Sequence, residues 1–294
     1  MGERTLIASC TSGLANRMLM LAGAQRLARL TERKLLLYWP ENDQLGCPFD
    51  ALFQNTPAML RDQDMHELLR SDRTMKVYNA WHCPPLYEEV SPDGDAAEIV
   101  LVKGWTAPKF ANETLASLRD ELCDELRKLA PTEEILATVG TVALPERCLG
   151  VHVRIGEAGD SANYFAPSKR EHFEAILRAV AEQCGEAGFF LATTSIEVER
   201  HFHDVFGERV MVFPKSGKGR ERDAVREALI DLLLLSRTRG VLGNHGSTFS
   251  QVAAMLGPRL LVMATESAAT DGLTTITRRF TNALNGAPEY QLDL

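Results

Sequence analysis

The sequence predicts an α/β protein made of two Rossmann-like domains. Three observations carry that prediction. Short apolar runs bounded by turn residues alternate with amphipathic segments of helical period along most of the chain. Pro145 marks a linker that divides the 294 residues into two parts of ordinary domain size, 1–145 and 146–294. Several apolar runs open into small polar loops, where a parallel sheet offers the C-terminal ends of its strands to a ligand.

In the first part, Thr5 to Ser9 reads as a strand. It opens into Thr11-Ser12-Gly13-Leu14-Ala15-Asn16, after which Met18, Leu19, Leu21, Ala22, Leu27 and Leu30 recur at helical spacing. Lys34 to Trp39 is a second buried strand, ended by Pro40, which completes a strand–loop–helix–strand unit. From Glu41 to Pro92 proline, glycine and aromatic residues are mixed, and irregular surface structure or an insertion is expected. Ile99 to Val102 is a strand, and Asn112 to Leu129 an amphipathic helix stopped by Pro131. The second part alternates more regularly. Strands are expected at Leu149–Val153, Phe189–Ala192, Val210–Phe213, Gly240–Leu242 and Leu260–Met263. Helices are expected at Lys169–Cys184, Ser195–Phe206, Arg222–Ser236 and Ser250–Leu256.

Composition narrows the function classes. Hydrophobic residues make up 45% and charged residues 24%, which fits a soluble globular chain and not a disordered one. The net charge of -8 gives no general attraction for nucleic acid, so any polyanion must be held at a local site. The six cysteines form no CxxC pair and no zinc-type spacing, so buried free thiols are expected. The apolar run Ala228 to Leu235 contains Asp231 and is far shorter than the ~20 residues of a membrane span. Met1-Gly2-Glu3-Arg4 lacks the pattern of a secretory signal. The expectation is a cytoplasmic protein without membrane or nucleic-acid partners.

Three loops carry the candidate chemistry. In the first, Gly13 precedes a helix whose free N–H groups suit an anion, and Asn16 places an amide nearby. A simple N-cap with a tight turn explains the same letters. In the second, Gly150-Val151-His152-Val153-Arg154-Ile155-Gly156-Glu157, the alternation puts His152 and Arg154 on one face of a strand end. Arg154 suits two-point contact with a diphosphate, and a buried structural network is the alternative. The third joins Asp231 to Gly243-Asn244-His245-Gly246-Ser247-Thr248-Phe249-Ser250, a polar loop opening a helix, with Ser247, Thr248 and Ser250 as hydroxyl donors. An ordinary serine-rich cap is the alternative. The basic run Lys215 to Arg222 reads as a solvated loop. There is no P-loop and no nucleophilic triad motif, and Asp93-Gly94-Asp95 sits in a Pro/Gly loop instead of after a strand. A diphosphate site without a metal, with Arg154 in place of the cation, is the expectation.

These segments together resemble the fucosyltransferase superfamily that includes α-1,6-fucosyltransferases, nodulation fucosyltransferases and protein O-fucosyltransferases. Gly13 to Arg17 resembles the family's G-x-x-N-[RQ] turn, and His152-Val153-Arg154-Ile155-Gly156 its H-x-R motif. Phe190 to Ser195 is similar to the intervening "LATD" segment, and Asp231 to Ser250 to the acidic helix followed by an S-[ST]-F-S loop. The resemblance implies a GT-B glycosyltransferase, with two domains facing across a cleft. It implies inverting, metal-independent transfer of fucose from GDP-fucose, with no cofactor and an unidentified acceptor. Arg154 would neutralise the departing diphosphate, and Asp231 would pair with guanine. His152 would lie near base and ribose, and Gly13, Ser247, Thr248, Phe249 and Ser250 would line the nucleotide-sugar site. Asn16 would sit beside the glycosidic oxygen. Glu157 and Asp160, adjacent to Arg154 in sequence, are equal candidates for the base that deprotonates the acceptor. The chain departs from the family pattern at Ile155, where many members carry a second arginine, at Glu157, an aspartate in the pattern, and at Thr194, which replaces the "LATD" aspartate. Those departures leave two alternatives, a transferase for another nucleotide sugar and a non-catalytic nucleotide-sugar or glycan-binding protein on the same fold.

Overall fold

A computed structural model describes residues 4–80, 87–90, 97–104, 107–155, 166–217, 219–258 and 260–289, the side chains of 80 and 87–90 excepted. The chain divides into two units, Met1–Leu136 with Ser216–Leu229, and Ala137–Lys215 with Ile230–Asp293.

The first unit opens on strand β1 (Thr5–Ser9), every residue of which is buried, and passes through Gly13 into helix α1 (Leu14–Leu30). Strand β2 (Lys34–Tyr38), the short β3 (Met59–Leu60), helix α2 (Asp62–Leu69) and strand β4 (Met75–Ala80) follow. Then come β5 (Tyr87–Val90), β6 (Ile99–Gly104), β7 (Ala107–Phe110), helix α3 (Leu115–Arg127) and helix α4 (Glu133–Thr141), of which residues to Leu136 belong to this unit. The main sheet runs β3-β2-β1-β6-β4, all parallel, while β5 and β7 form a separate parallel pair. Apolar residues on both faces of β1 suit a central parallel strand covered by helices. Helix α1 is buried nearly all round, and it carries Arg26 inside, 1% exposed, bonded to Glu113 and Glu121.

Within the expected irregular stretch, residues 41–80 are more regular than expected. Trp39 packs edge-on against Phe49, and Phe49 against Phe53, around a 3-10 turn at Phe49–Ala51, and β4 pairs with β6 over six residues. β4 is an edge strand with Lys76 and Asn79 exposed and Tyr78 buried, so its sequence carries no continuous apolar run. Helix α4 was also not anticipated. Pro131 does stop α3, but Glu133 and Glu134 then start a new helix at the end where its dipole favours acids.

The second unit contains β8 (Cys148–His152), α5 (Arg170–Gln183), β9 (Gly188–Ala192), α6 (Ile196–Phe206), β10 (Val210–Met211) and the part of α7 (Arg222–Ser236) from Ile230 onward. It ends with β11 (Val241–Gly243), α8 (Thr248–Leu256), β12 (Leu261–Met263), α9 (Glu266–Ala269) and α10 (Leu273–Leu284). Its sheet runs β10-β9-β8-β11-β12, all parallel. Within the unit that is the 3-2-1-4-5 order of a Rossmann sheet, and strand order reverses between β8 and β11. Such sheets hold ligands at the C-terminal ends of the strands flanking that reversal. Helix α10 was missed although Thr277, Phe280, Ala283 and Leu284 recur at helical spacing and are buried. The five described cysteines, Cys10, Cys47, Cys123, Cys148 and Cys184, are free and buried, and Cys83 lies outside the described residues. Among the described residues no helix is long and apolar enough to cross a membrane.

Candidate functional site

The reversal between β8 and β11 brings the second and third sequence loops together. β8 ends on His152, 8% exposed, whose Nδ1 lies 2.9 Å from Ser250 Oγ and 3.3 Å from Ser247 Oγ. The ring also packs on Phe249, with centroids 4.7 Å apart. Ser250 is wholly buried and Ser247 nearly so, while Thr248 and Phe249 are half-buried at the start of α8. Ser247 occupies the N-cap position without capping through its side chain. The first-turn N–H groups of α8 therefore keep no side-chain cap from it, and a helix N-terminus with open donors suits an anion.

Close packing holds this arrangement. Gly243 ends β11, and a Cβ there would stand 2.2 Å from Ser250 Oγ, so only glycine lets that hydroxyl reach the imidazole. Gly246 turns the loop with φ 67°, in the left-handed region. Between them, Asn244 is fully buried and grips the backbone of Arg154. Its Oδ1 accepts from Arg154 N at 2.6 Å and its Nδ2 donates to Arg154 O at 3.0 Å. Arg154 itself is half-buried just beyond the end of β8. The amide clamp fixes where its side chain leaves the main chain. The sequence assigns Asn244 no role, and its one signal there is a small polar residue between two glycines. Ser168 adds a further tie by accepting from His245 N at 2.7 Å.

Burial holds the His152 pKa far below its ordinary value, at about 3, with Arg154 and Lys215 adding to the shift. The ring is thus neutral in the folded state. A histidine with a depressed folded pKa stabilises the fold above its unfolded pKa near 6.5, and that stabilisation is lost as pH falls toward 3. From pH 7 to pH 5 the expected loss is roughly 2 kcal/mol. Urea unfolding followed across that range, for the wild type and His152→Gln, checks this. The variant should lose the corresponding part of the pH slope, and an unchanged slope refutes the assignment.

Asp231, on α7, is 4% exposed, and Lys215 Nζ lies 2.9 Å from its Oδ2. The described residues of Lys215 to Arg222 are mostly exposed, in line with a solvated loop. Two of them also find partners distant in sequence: Lys215 answers a buried carboxylate, and Arg220 donates to Gln44 O at 3.1 Å. Thr193, in the "LATD"-like segment, is buried and accepts from Ser195 N at 3.2 Å.

In the first unit, Gly13 is the N-cap of α1, with φ -69° and ψ 167°. Asn16 Oδ1 and Ser12 Oγ are shielded from solvent without a hydrogen-bond partner among the described residues. Arg17 follows Asn16 and is completely buried. It donates to the carbonyls of Ser12, Pro40 and Thr11 and to Asn42 Oδ1, and it stacks over Trp39 at 5.0 Å. Burial lowers its pKa to about 10, so it stays charged at neutral pH. Glu157 and Asp160 lie outside the described residues. Among the described residues no three His, Cys, Asp or Glu side chains converge as a metal site.

Several solved structures share this architecture. NodZ fucosyltransferase from Bradyrhizobium matches with a TM-score of 0.59 and 21% identity, over 90% of this chain and 96% of that one. The fold is that of the GT-B fucosyltransferases. A NodZ α-1,6-fucosyltransferase structure soaked with GDP-fucose matches over 89% and 95% of the two chains, with a TM-score of 0.60 and 21% identity. Arabidopsis thaliana FUT1, as a variant in complex with GDP, gives a TM-score of 0.57 and 18% identity over 88% of this chain and 70% of that one. At these identities the likeness is one of GT-B fold. No family model and no curated protein matches the sequence.

Proposed function

We propose that the chain is an inverting, metal-independent fucosyltransferase that takes GDP-fucose as donor and transfers the sugar to a hydroxyl of a glycan, peptide or small molecule. The observation that carries this reading is the tie between Arg154 and the loop that opens α8, made through Asn244 and His152 at the strand-order reversal of the second sheet. The GT-B fold supports it, since NodZ and FUT1, which share that fold, have been solved with GDP-fucose or GDP.

In the proposed reaction the acceptor oxygen bonds to the anomeric carbon as the bond from that carbon to the β-phosphate oxygen breaks, with inversion. The electron pair of the breaking bond leaves with GDP, and the acceptor proton passes to a carboxylate, for which Glu157 and Asp160 are the candidates. Arg154 and the α8 N-terminus stabilise the charge that grows on the diphosphate, an effect worth ~3 kcal/mol per well-placed donor. Thr248 and Phe249 present the first-turn donors. His152, neutral and tied to Ser247 and Ser250, fixes that turn. Asp231 accepts from the guanine edge. In the first unit, Gly13 admits the ligand to the start of α1, and Asn16 offers its amide to the glycosidic oxygen.

A nucleotide panel tests the reading. GDP should bind at least about tenfold more tightly than UDP or ADP, and excess EDTA should leave both GDP affinity and transfer unchanged. Preference for UDP or dTDP in calorimetry sinks the fucose assignment while leaving the fold intact. Activity that stops with EDTA and returns with magnesium or manganese removes Arg154 as principal neutraliser. GDP binding without any hydrolysis of GDP-fucose would favour a non-catalytic binding protein, the reading that Ile155 and Thr194 motivate.

A further inference from the structure

A buried carboxylate needs a partner, and Asp231 finds one outside its own helix. Its side chain is 5% exposed, while that of Lys215 is 23% exposed. Lys215 stands on the loop after the edge strand β10, and its ammonium also donates to Phe213 O at 3.4 Å. The result is an acceptor-only group and a donor-only group side by side, with the donor partly open to solvent. That pairing has a chemical complement. The edge of guanine from N2 through N1 to O6 reads donor, donor, acceptor. A carboxylate meets the first two, and an ammonium with three N–H donors holds both the carboxylate and the third. Adenine presents an acceptor at N1 where the carboxylate needs a donor, and uracil offers it one donor flanked by acceptors.

We infer that Lys215 is a specificity-determining residue that donates to guanine O6 while Asp231 accepts from N1–H and N2–H. The inference rests on the guanine reading proposed above. The basic run then has a division of labour, with its first residue serving the base. In the free protein Lys215 meets Asp231 Oδ2 while Oδ1 is shielded from solvent, so the base must open the carboxylate as it binds.

Calorimetric titration with GDP, 6-thio-GDP and IDP separates the contacts, using the wild type, Lys215→Met and Lys215→Gln. 6-thio-GDP replaces O6 by a poor acceptor, and IDP lacks only the N2 amine. The wild type should prefer GDP over 6-thio-GDP by about tenfold. Lys215→Met should weaken GDP by a similar factor and bring that ratio close to one, while the preference of GDP over IDP, set by Asp231, persists. Lys215→Gln, which keeps a neutral donor, should retain part of the ratio. Melting temperatures accompany each titration. If Lys215→Met does not fold, the ratio in Lys215→Gln decides, and a ratio equal to that of the wild type overturns the role. A uniform weakening of all three nucleotides also overturns it, since a purely structural lysine would act that way. Wild-type protein that prefers UDP overturns the guanine reading itself, whereas wild type that prefers GDP beside a variant with an unchanged ratio overturns only the role of Lys215.

Discussion

Arg154→Ala should lower turnover by a factor of about 100 or more without lowering the melting temperature. The charge that Arg154 meets grows as the sugar–phosphate bond breaks, and an interaction of this kind made in the transition state is worth roughly 3 kcal/mol. The fold should survive because Asn244 holds the backbone N–H and C=O of residue 154, and both bonds persist in the alanine variant. Arg154→Lys should recover little, since a point charge lacks the two-point fork that matches a diphosphate. Hydrolysis of GDP-fucose without acceptor gives the turnover, and calorimetry gives GDP affinity. A variant that melts normally and binds GDP as tightly as the wild type refutes the proposed role. A sharp drop in melting temperature instead makes Arg154 a structural residue whose loss silences activity through unfolding.

The two parallel sheets were legible because their central strands are short apolar runs with helical periods between them. β1, β8 and β9 have every residue buried, and such strands announce themselves in sequence. β4 was not legible, because an edge strand needs only one apolar face and Lys76 and Asn79 break the run. The site divided the same way. His152, Arg154 and the Ser247 to Ser250 turn follow strand ends, where loop chemistry is expected to face a ligand, and the fold brings them together across β8 and β11. Asn244 clamps a residue 90 positions away, and Lys215 meets a carboxylate on another element. Both depend on strand order, which local composition does not encode. Arg17 shows the limit most plainly. It sits in the Gly13 to Arg17 segment beside Asn16, and only its burial separates a structural arginine from one that meets a ligand.

Arg17→Met should therefore destabilise the first unit heavily and act on the site only through that loss. The guanidinium ties the turn after β1 to the segment after β2, through the carbonyls of Ser12, Thr11 and Pro40 and the side chain of Asn42. Asn42 continues the chain of contacts, donating from Nδ2 to Thr11 O at 2.9 Å while its Oδ1 also accepts from Leu45 N at 3.0 Å. Methionine fills much of the volume but offers no donor, so several buried acceptors lose their partner at about 1–3 kcal/mol each. Relaxation and water recover part of this, and about 4 kcal/mol is the expected net cost, a large share of the 5–15 kcal/mol that holds a domain together. The stacking over Trp39 is lost as well. Arg17→Lys should rescue little, because one ammonium cannot reach acceptors spread around a planar fork. Urea unfolding monitored by Trp39 fluorescence reads the first unit, and the pH-dependent transition assigned to His152 reads the second. The expected result is a midpoint that falls for the first and holds for the second. In the folded fraction the preference for GDP over UDP should persist, since Asp231 and Lys215 lie in the other unit. An unshifted midpoint would mean that the turn keeps its shape without the guanidinium, and Arg17 would lose its structural assignment.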